Sequence, residues 1–181
     1  KVANEMLIIK GITQNRPWPD DEVVKEVENV ELTSSKIHLP VDLIVSPPDC
    51  EHCFRADAPG KVKREEEIYD IGPETIKIFT KIISEAKMMV WAGPLGIFED
   101  RRYEKGTRAI AQAMAMNHRA FKVVGGGDTG IAIKKFHAGD SIDHISTGGG
   151  AMLEFMAGNE LPGLKAMGYY DEDQEHRKGG R

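Results

Sequence analysis

Between residues 88 and 156 the chain repeats one pattern three times: a short strand-like run, a glycine-rich loop, then a helical segment. The runs are 88–91, 121–124 and 142–145, and the loops are AGPLGIFED, GGGDT and STGGGA. The helical segments cover 102–116, the stretch after GGGDT up to 136, and 151–156. This order restricts the fold more than any other feature. Short strands that each lead through a glycine loop into a helix build a parallel sheet with right-handed crossovers. The expected class is therefore α/β, a three-layer sandwich around a mostly parallel, Rossmann-like sheet. No sequence repeat underlies the rhythm, which excludes a solenoid.

Upstream, Pro73 suits the first turn of a helix, and Ile76, Phe79, Ile82, Ile83 and Ala86 share one face after it. Residues 36–45 (KIHLPVDLIV) have strand composition, with Pro40 arguing against a regular central strand. Residues 46–67 hold Pro47-Pro48, Pro59-Gly60 and the run KVKREEE, and read as an exposed loop or hairpin. Asp20 suits the N-cap of a helix carrying Val23, Val24, Val27 and Val30. Residues 1–10 read as the end of a helix with nothing to cap it, so a segment before Lys1 is expected. One domain over 1–168 and a polar tail over 169–181 complete the organisation.

Composition narrows the function. The chain has 181 residues, 40% of them apolar, enough for a real core. Lys plus Arg number 24 against 29 for Asp plus Glu, a formal charge of −5. That balance opposes a nucleic-acid-coating or membrane-surface role, since both need surplus basic side chains. No apolar stretch is long enough to span a bilayer, and no signal peptide is visible. Two cysteines cannot staple a fold of this size, so a cytoplasmic location is expected. They form one CxxC, Cys50 to Cys53, without a second pair at zinc-finger spacing. A plain exposed loop is the expectation there, ahead of a metal site or a redox pair.

In an open parallel sheet, ligands bind beyond the carboxyl ends of the strands. All three loops at that edge are glycine-rich and feed helix N-termini, whose free N–H groups favour phosphate. In Gly125-Gly126-Gly127-Asp128-Thr129 a bare carboxylate would repel a phosphate. Mg²⁺ bridging Asp128 to phosphate oxygens removes the conflict, and the alternative is that Asp128 only caps a helix. Thr129 either meets a phosphate or starts that helix. In the first loop Gly93, Pro94 and Gly96 shape the turn, and Glu99 is either a ribose acceptor or a solvated acid. GxxxxGK[ST] is absent, and so is a GxGxxG opening the first strand–helix unit, which disfavours P-loop and dinucleotide readings.

As a set, LPVDLIV, DIGPET, VWAGPLGIFE, GTRAIAQAMA, VVGGGDTGIAIKKF, HISTGGGAMLEFMAG and LPGL resemble phosphoglycerate kinase, in the family's order and spacing. The resemblance implies a two-domain enzyme that moves a phosphoryl group between 1,3-bisphosphoglycerate and Mg-ADP, giving 3-phosphoglycerate and ATP in glycolysis. This chain resembles most of the C-terminal, nucleotide-binding domain. By motif, Gly93, Pro94, Glu99, Gly125, Gly126, Gly127, Asp128 and Thr129 would bind ADP or ATP, with Glu99 on the ribose and Asp128 supporting Mg²⁺. Gly148, Gly149 and Gly150 would present amides to the transferring phosphoryl group, with Ser146 and Thr147 at the hinge. The implied state is a monomer. Ala92 stands where most members carry Asn. The family's N-terminal, phosphoglycerate-binding domain and the opening strand and helix of the nucleotide domain have no counterpart here. The resemblance therefore implies no turnover by this chain alone and a need for the N-terminal domain in cis or trans. The alternative is a non-catalytic Mg-nucleotide-binding module.

Overall fold

The computed structural model describes residues 2–13, 18–31 and 34–170. Among the described residues six strands form two separate three-stranded sheets. Two helices, α1 (Val2–Ile9) and α2 (Asp21–Glu28), precede the first sheet. That sheet is antiparallel, with β1 (Leu43–Ser46) between β2 (Arg55–Asp57) and β3 (Glu67–Ile71). Helix α3 (Pro73–Glu85) then leads to β4 (Met88–Ala92), α4 (Lys105–Met116), β5 (Phe121–Gly125), α5 (Gly127–Lys135) and β6 (His144–Ser146). Helices α6 (Gly149–Met156) and α7 (Pro162–Ala166) close the order.

The second sheet is parallel with order β4-β5-β6, as the repeated pattern requires. Strand residues alternate between faces. Met89, Trp91 and Val124 share one face, buried with Ile110, Ala111 and Met114 of α4 and Ile133 of α5, while Phe79 and Ile83 of α3 pack on the cluster. Burying each such large side chain contributes about 1.5–3 kcal/mol relative to exposure. Gly125 faces the other way, where the side chain of Met152 on α6 lies over it. Helices thus flank both faces, giving the three layers. The second helical layer is partial: on the face of Gly125, Met88 is 61% exposed and Phe121 50%. Among the described residues no helix is long and apolar enough to cross a membrane.

The antiparallel sheet corrects the reading of 46–67 as a loop or hairpin. β2 and β3 lie on opposite edges of β1 and do not pair with each other. Arg55 on β2 pairs with Glu66 just ahead of β3, tying the two edges together at one end. That hydrogen bond from Arg55 holds the buried Glu66 carboxyl below its ordinary range, against the opposing effect of burial. The strand expected within 36–45 is only the segment Leu43–Ser46, past Pro40. A second core, Leu7 of α1 with Leu43, Val45 and Val62, seats α1 on this sheet.

Cys50 and Cys53 form a disulfide across the turn that follows β1, which corrects the expected plain loop. Among the described residues no group of three metal-binding side chains occurs. A loop this short limits the chain-entropy gain to about 2 kcal/mol. Converting both cysteines to serine should therefore lower stability in urea by no more than that and leave the far-UV circular dichroism unchanged.

Residues 171–181 of the expected tail lie outside the described residues. Tyr169 and Tyr170, placed in that tail by sequence, make contacts with the chain: Tyr169, though exposed, meets the Phe155 ring, and the Tyr170 hydroxyl accepts from Leu161 N at 2.7 Å.

Candidate nucleotide site

The three strands end in register, Ala92 opposite Gly125 and Gly125 opposite Ser146. Their loops therefore emerge side by side, and short contacts join them. Gly93 N donates to Thr129 Oγ1 at 2.8 Å, linking the first loop to the second. Gly126 N donates to Ser146 O at 3.1 Å, linking the second to the third. A Cβ on Gly149 would lie 2.9 Å from both Cα and N of Gly126, so these two backbones touch. Gly93 and Gly126 have φ of +105° and +97°, the left-handed region that favours glycine.

Helices α5 and α6 both start at this edge, and neither has a side-chain cap on its N-terminus. Their first N–H groups are therefore left for solvent or an anion. Asp128 is exposed in the first turn of α5. Thr129, next to it, is 1% exposed, and its hydroxyl oxygen is the acceptor for Gly93. This threonine thus works as a tie between loops. Gly148 and Gly150 are exposed and Gly149 half-buried.

The first loop is braced from below. Leu95 N and Gly96 N donate to Thr107 Oγ1 of α4 at 3.1 and 3.2 Å. Ile97 N donates to Tyr69 O of β3 at 2.9 Å. Lys135, in the last turn of α5, donates to Phe98 O and lies 2.8 Å from the buried Glu104 carboxylate. The Lys135 hydrogen bond holds the Glu104 carboxyl below its ordinary range, outweighing burial, with Arg108 helping. Glu99 lies exposed in the turn that ends this loop.

The family model for phosphoglycerate kinase matches residues 1–159. This chain belongs to the phosphoglycerate kinase family. Phosphoglycerate kinases of Desulfosudis oleivorans and Thermomicrobium roseum are 39% and 34% identical to it, over 92% of this chain and 43% of theirs. The solved phosphoglycerate kinase of Coxiella burnetii superposes with a TM-score of 0.79 at 35% identity, and that of Pyrococcus horikoshii with 0.72 at 34%. Each superposition covers 91% of this chain but only 44% and 42% of the other. The chain thus spans less than half the length of the phosphoglycerate kinases it matches.

Within this phosphoglycerate kinase fold, the structure brings Gly93, Pro94, Gly125–Thr129 and Gly148–Gly150 to one edge, with Glu99 at the end of the first loop. The bracing residues Tyr69, Thr107 and Lys135, and Asp70, whose carboxylate accepts from Gly106 N at 2.7 Å, escape a reading by spacing. Three of them lie in stretches that carry the resemblance, DIGPET, GTRAIAQAMA and VVGGGDTGIAIKKF, yet only a contact between distant segments gives them work.

Proposed function

We propose that this chain is the nucleotide-binding part of a phosphoglycerate kinase, taking Mg-ADP or Mg-ATP at the carboxyl edge of the β4-β5-β6 sheet. The observation that carries this reading is the convergence of three glycine loops, tied to one another by Gly93–Thr129, Gly126–Ser146 and Gly126–Gly149. The uncapped N-termini of α5 and α6 offer backbone donors to phosphate, and Glu99 is suited to accept from the ribose.

The donor set fits Mg²⁺, which usually takes one or two protein carboxylates and completes its shell with phosphate oxygens and water. Asp128 is the carboxylate that would hold it, exposed and without a cap bond to make at α5. When bound, the ion supplies neutralisation of phosphate charge. The chain's own part is positioning: amides of Gly148–Gly150 orient the transferring group and exclude misplaced ones, and the braced first loop fixes the nucleotide. In this reading phosphoryl transfer to and from phosphoglycerate, between 1,3-bisphosphoglycerate and ADP, needs the part of the family fold that this chain does not span, in cis or in trans. The open sheet face with Met88 and Phe121 supports such a covering segment, because parallel sheets bury both faces. A cytoplasmic, monomeric enzyme of glycolysis is the setting we infer for the complete protein.

Calorimetry tests the reading. The folded chain should bind Mg-ADP, and Asp128→Ala and Glu99→Ala should each weaken it about tenfold, the size of one lost charged contact. Retained affinity in both variants would overturn the site. A coupled assay should detect no turnover until a phosphoglycerate-binding domain is supplied; if supplying one yields none, the chain is a non-catalytic binding module.

A further inference from the structure

We propose that Asp70 is a positioning residue for the nucleotide loop 93–99, acting as the spacer that sets the loop's height above α4. The role rests on the nucleotide reading above. Asp70 lies on β3, in the other sheet, and is 1% exposed. Its Oδ2 accepts from Gly106 N at 2.7 Å and its Oδ1 from Ile71 N at 2.8 Å. The carboxylate fills the space that two glycines leave. A Cβ on Gly96 of the loop would lie 2.3 Å from Oδ1, and one on Gly106 of α4 2.2 Å from the same oxygen. The residues flanking these contacts hold the loop directly: Tyr69 O takes Ile97 N, and Thr107 Oγ1 takes Leu95 N and Gly96 N. Asp70 therefore locks together the two anchors from which 95–97 hangs. Gly93, at the other end, is held by Thr129.

A structural cap for α4 would look similar, so protonation is the useful lever. Burial pushes the Asp70 carboxyl up to about 6, against the two backbone N–H donors that favour its charge. The ionisable groups on the elements around it are Glu5 of α1, Asp42 ahead of β1, Tyr69 of β3, and Tyr103, Glu104, Lys105 and Arg108 at the α4 start. Arg108 pairs with Glu104, and what acts on Asp70 is burial and backbone. Once protonated, the group loses one strong acceptor and the spacer loosens. The stability sign runs the other way. A carboxyl raised in the fold takes up a proton on folding, so acidification through its midpoint adds stability from this group. Affinity lost without loss of stability thus separates positioning from mere support.

The experiment is an amide NMR titration of the nucleotide-free chain from pH 7.5 to 5.2, with Mg-ADP calorimetry at both ends, on wild type and Asp70→Asn. The amides of Ile71, Gly106, Leu95, Gly96 and Ile97 should move with one midpoint near 6. Wild-type affinity should fall about tenfold beyond the pH dependence that Asp70→Asn retains, which belongs to ADP itself. Asp70→Asn should be about tenfold weaker at pH 7.5, with still loop amides. If that variant does not fold, Thr107→Val replaces it: it should weaken Mg-ADP at both pH values and uncouple the loop amides from the Asp70 midpoint. Titration of Ile71 and Gly106 alone, or wild-type affinity in Asp70→Asn, overturns the role and leaves a helix cap. No binding by wild type at either pH, with the loop amides still moving together, overturns the nucleotide reading instead and leaves Asp70 a loop brace without a ligand.

Discussion

Gly149→Val should cost about 3 kcal/mol of stability and reduce Mg-ADP binding more than a hundredfold, read by urea melts and calorimetry. The cause is steric. The new Cβ would approach Cα and N of Gly126 at 2.9 Å and C of Gly125 at 3.2 Å. All three are backbone atoms, so no rotamer change relieves the clash, and the second and third loops must separate. The Gly126–Ser146 hydrogen bond is lost with them. Gly150→Ala is the contrasting case, because nothing lies within 4 Å of its Cβ. Alanine replaces glycine near the start of α6 and should stabilise by about 0.5–1 kcal/mol. Phosphoryl transfer, measured once a phosphoglycerate-binding domain is supplied, should nevertheless fall, because that open space is where the transferring group would sit. Gain of stability with loss of turnover is the mark of a glycine kept for a ligand.

This contrast also shows what sequence can carry. The parallel sheet was legible because β4, β5 and β6 are short strand-like runs, each followed by a glycine loop and a helix, and right-handed crossovers leave few other topologies. Helix α3 was legible from Pro73 and the spacing of Ile76, Phe79 and Ile83. β2 was not, because Arg55-Ala56-Asp57 carries no apolar alternation and the ion pair that anchors it, Arg55 with Glu66, reaches a residue just ahead of β3. The glycines of the site were visible as a composition, yet which of them must be glycine depends on atoms elsewhere: Gly126 for Gly149, Asp70 for Gly96. Thr129 reads as a phosphate ligand or helix start by position, and only the fold shows its hydroxyl turned to Gly93. The cap of α3 was invisible for the same reason. Gly72, its N-cap residue, has no side chain to offer.

That cap comes from Asp42, and Asp42→Ala should destabilise the protein by about 3 kcal/mol, again read in urea. Asp42 Oδ2 accepts from Glu74 N at 3.0 Å, and Oδ1 from Thr75 N at 2.7 Å and Thr75 Oγ1 at 2.6 Å. Removing the carboxylate orphans two N–H groups at the positive end of α3 and loosens a threonine that is fully buried. Burial alone would raise the Asp42 carboxyl, but the Thr75 hydroxyl and the N–H groups of Glu74 and Thr75 outweigh it and hold it below its ordinary 3.8. Its stabilisation is therefore complete above the ordinary value and lost as pH falls through the lower folded one. Glu66 and Glu104, also depressed, lose theirs in acid in the same way. Asp70, raised to about 6, has the opposite sign between there and 3.8. The thermal midpoint of wild type should thus hold or rise from pH 6.5 to 4.5 and collapse only below 4. Asp70→Asn should remove the rise, and Asp42→Ala should shrink the collapse, because the carboxylate whose protonation drives part of it is already gone. A midpoint that falls steadily from pH 6.5 in wild type would contradict the raised, buried Asp70 carboxyl, and an acid collapse undiminished in Asp42→Ala would contradict the capping role of Asp42.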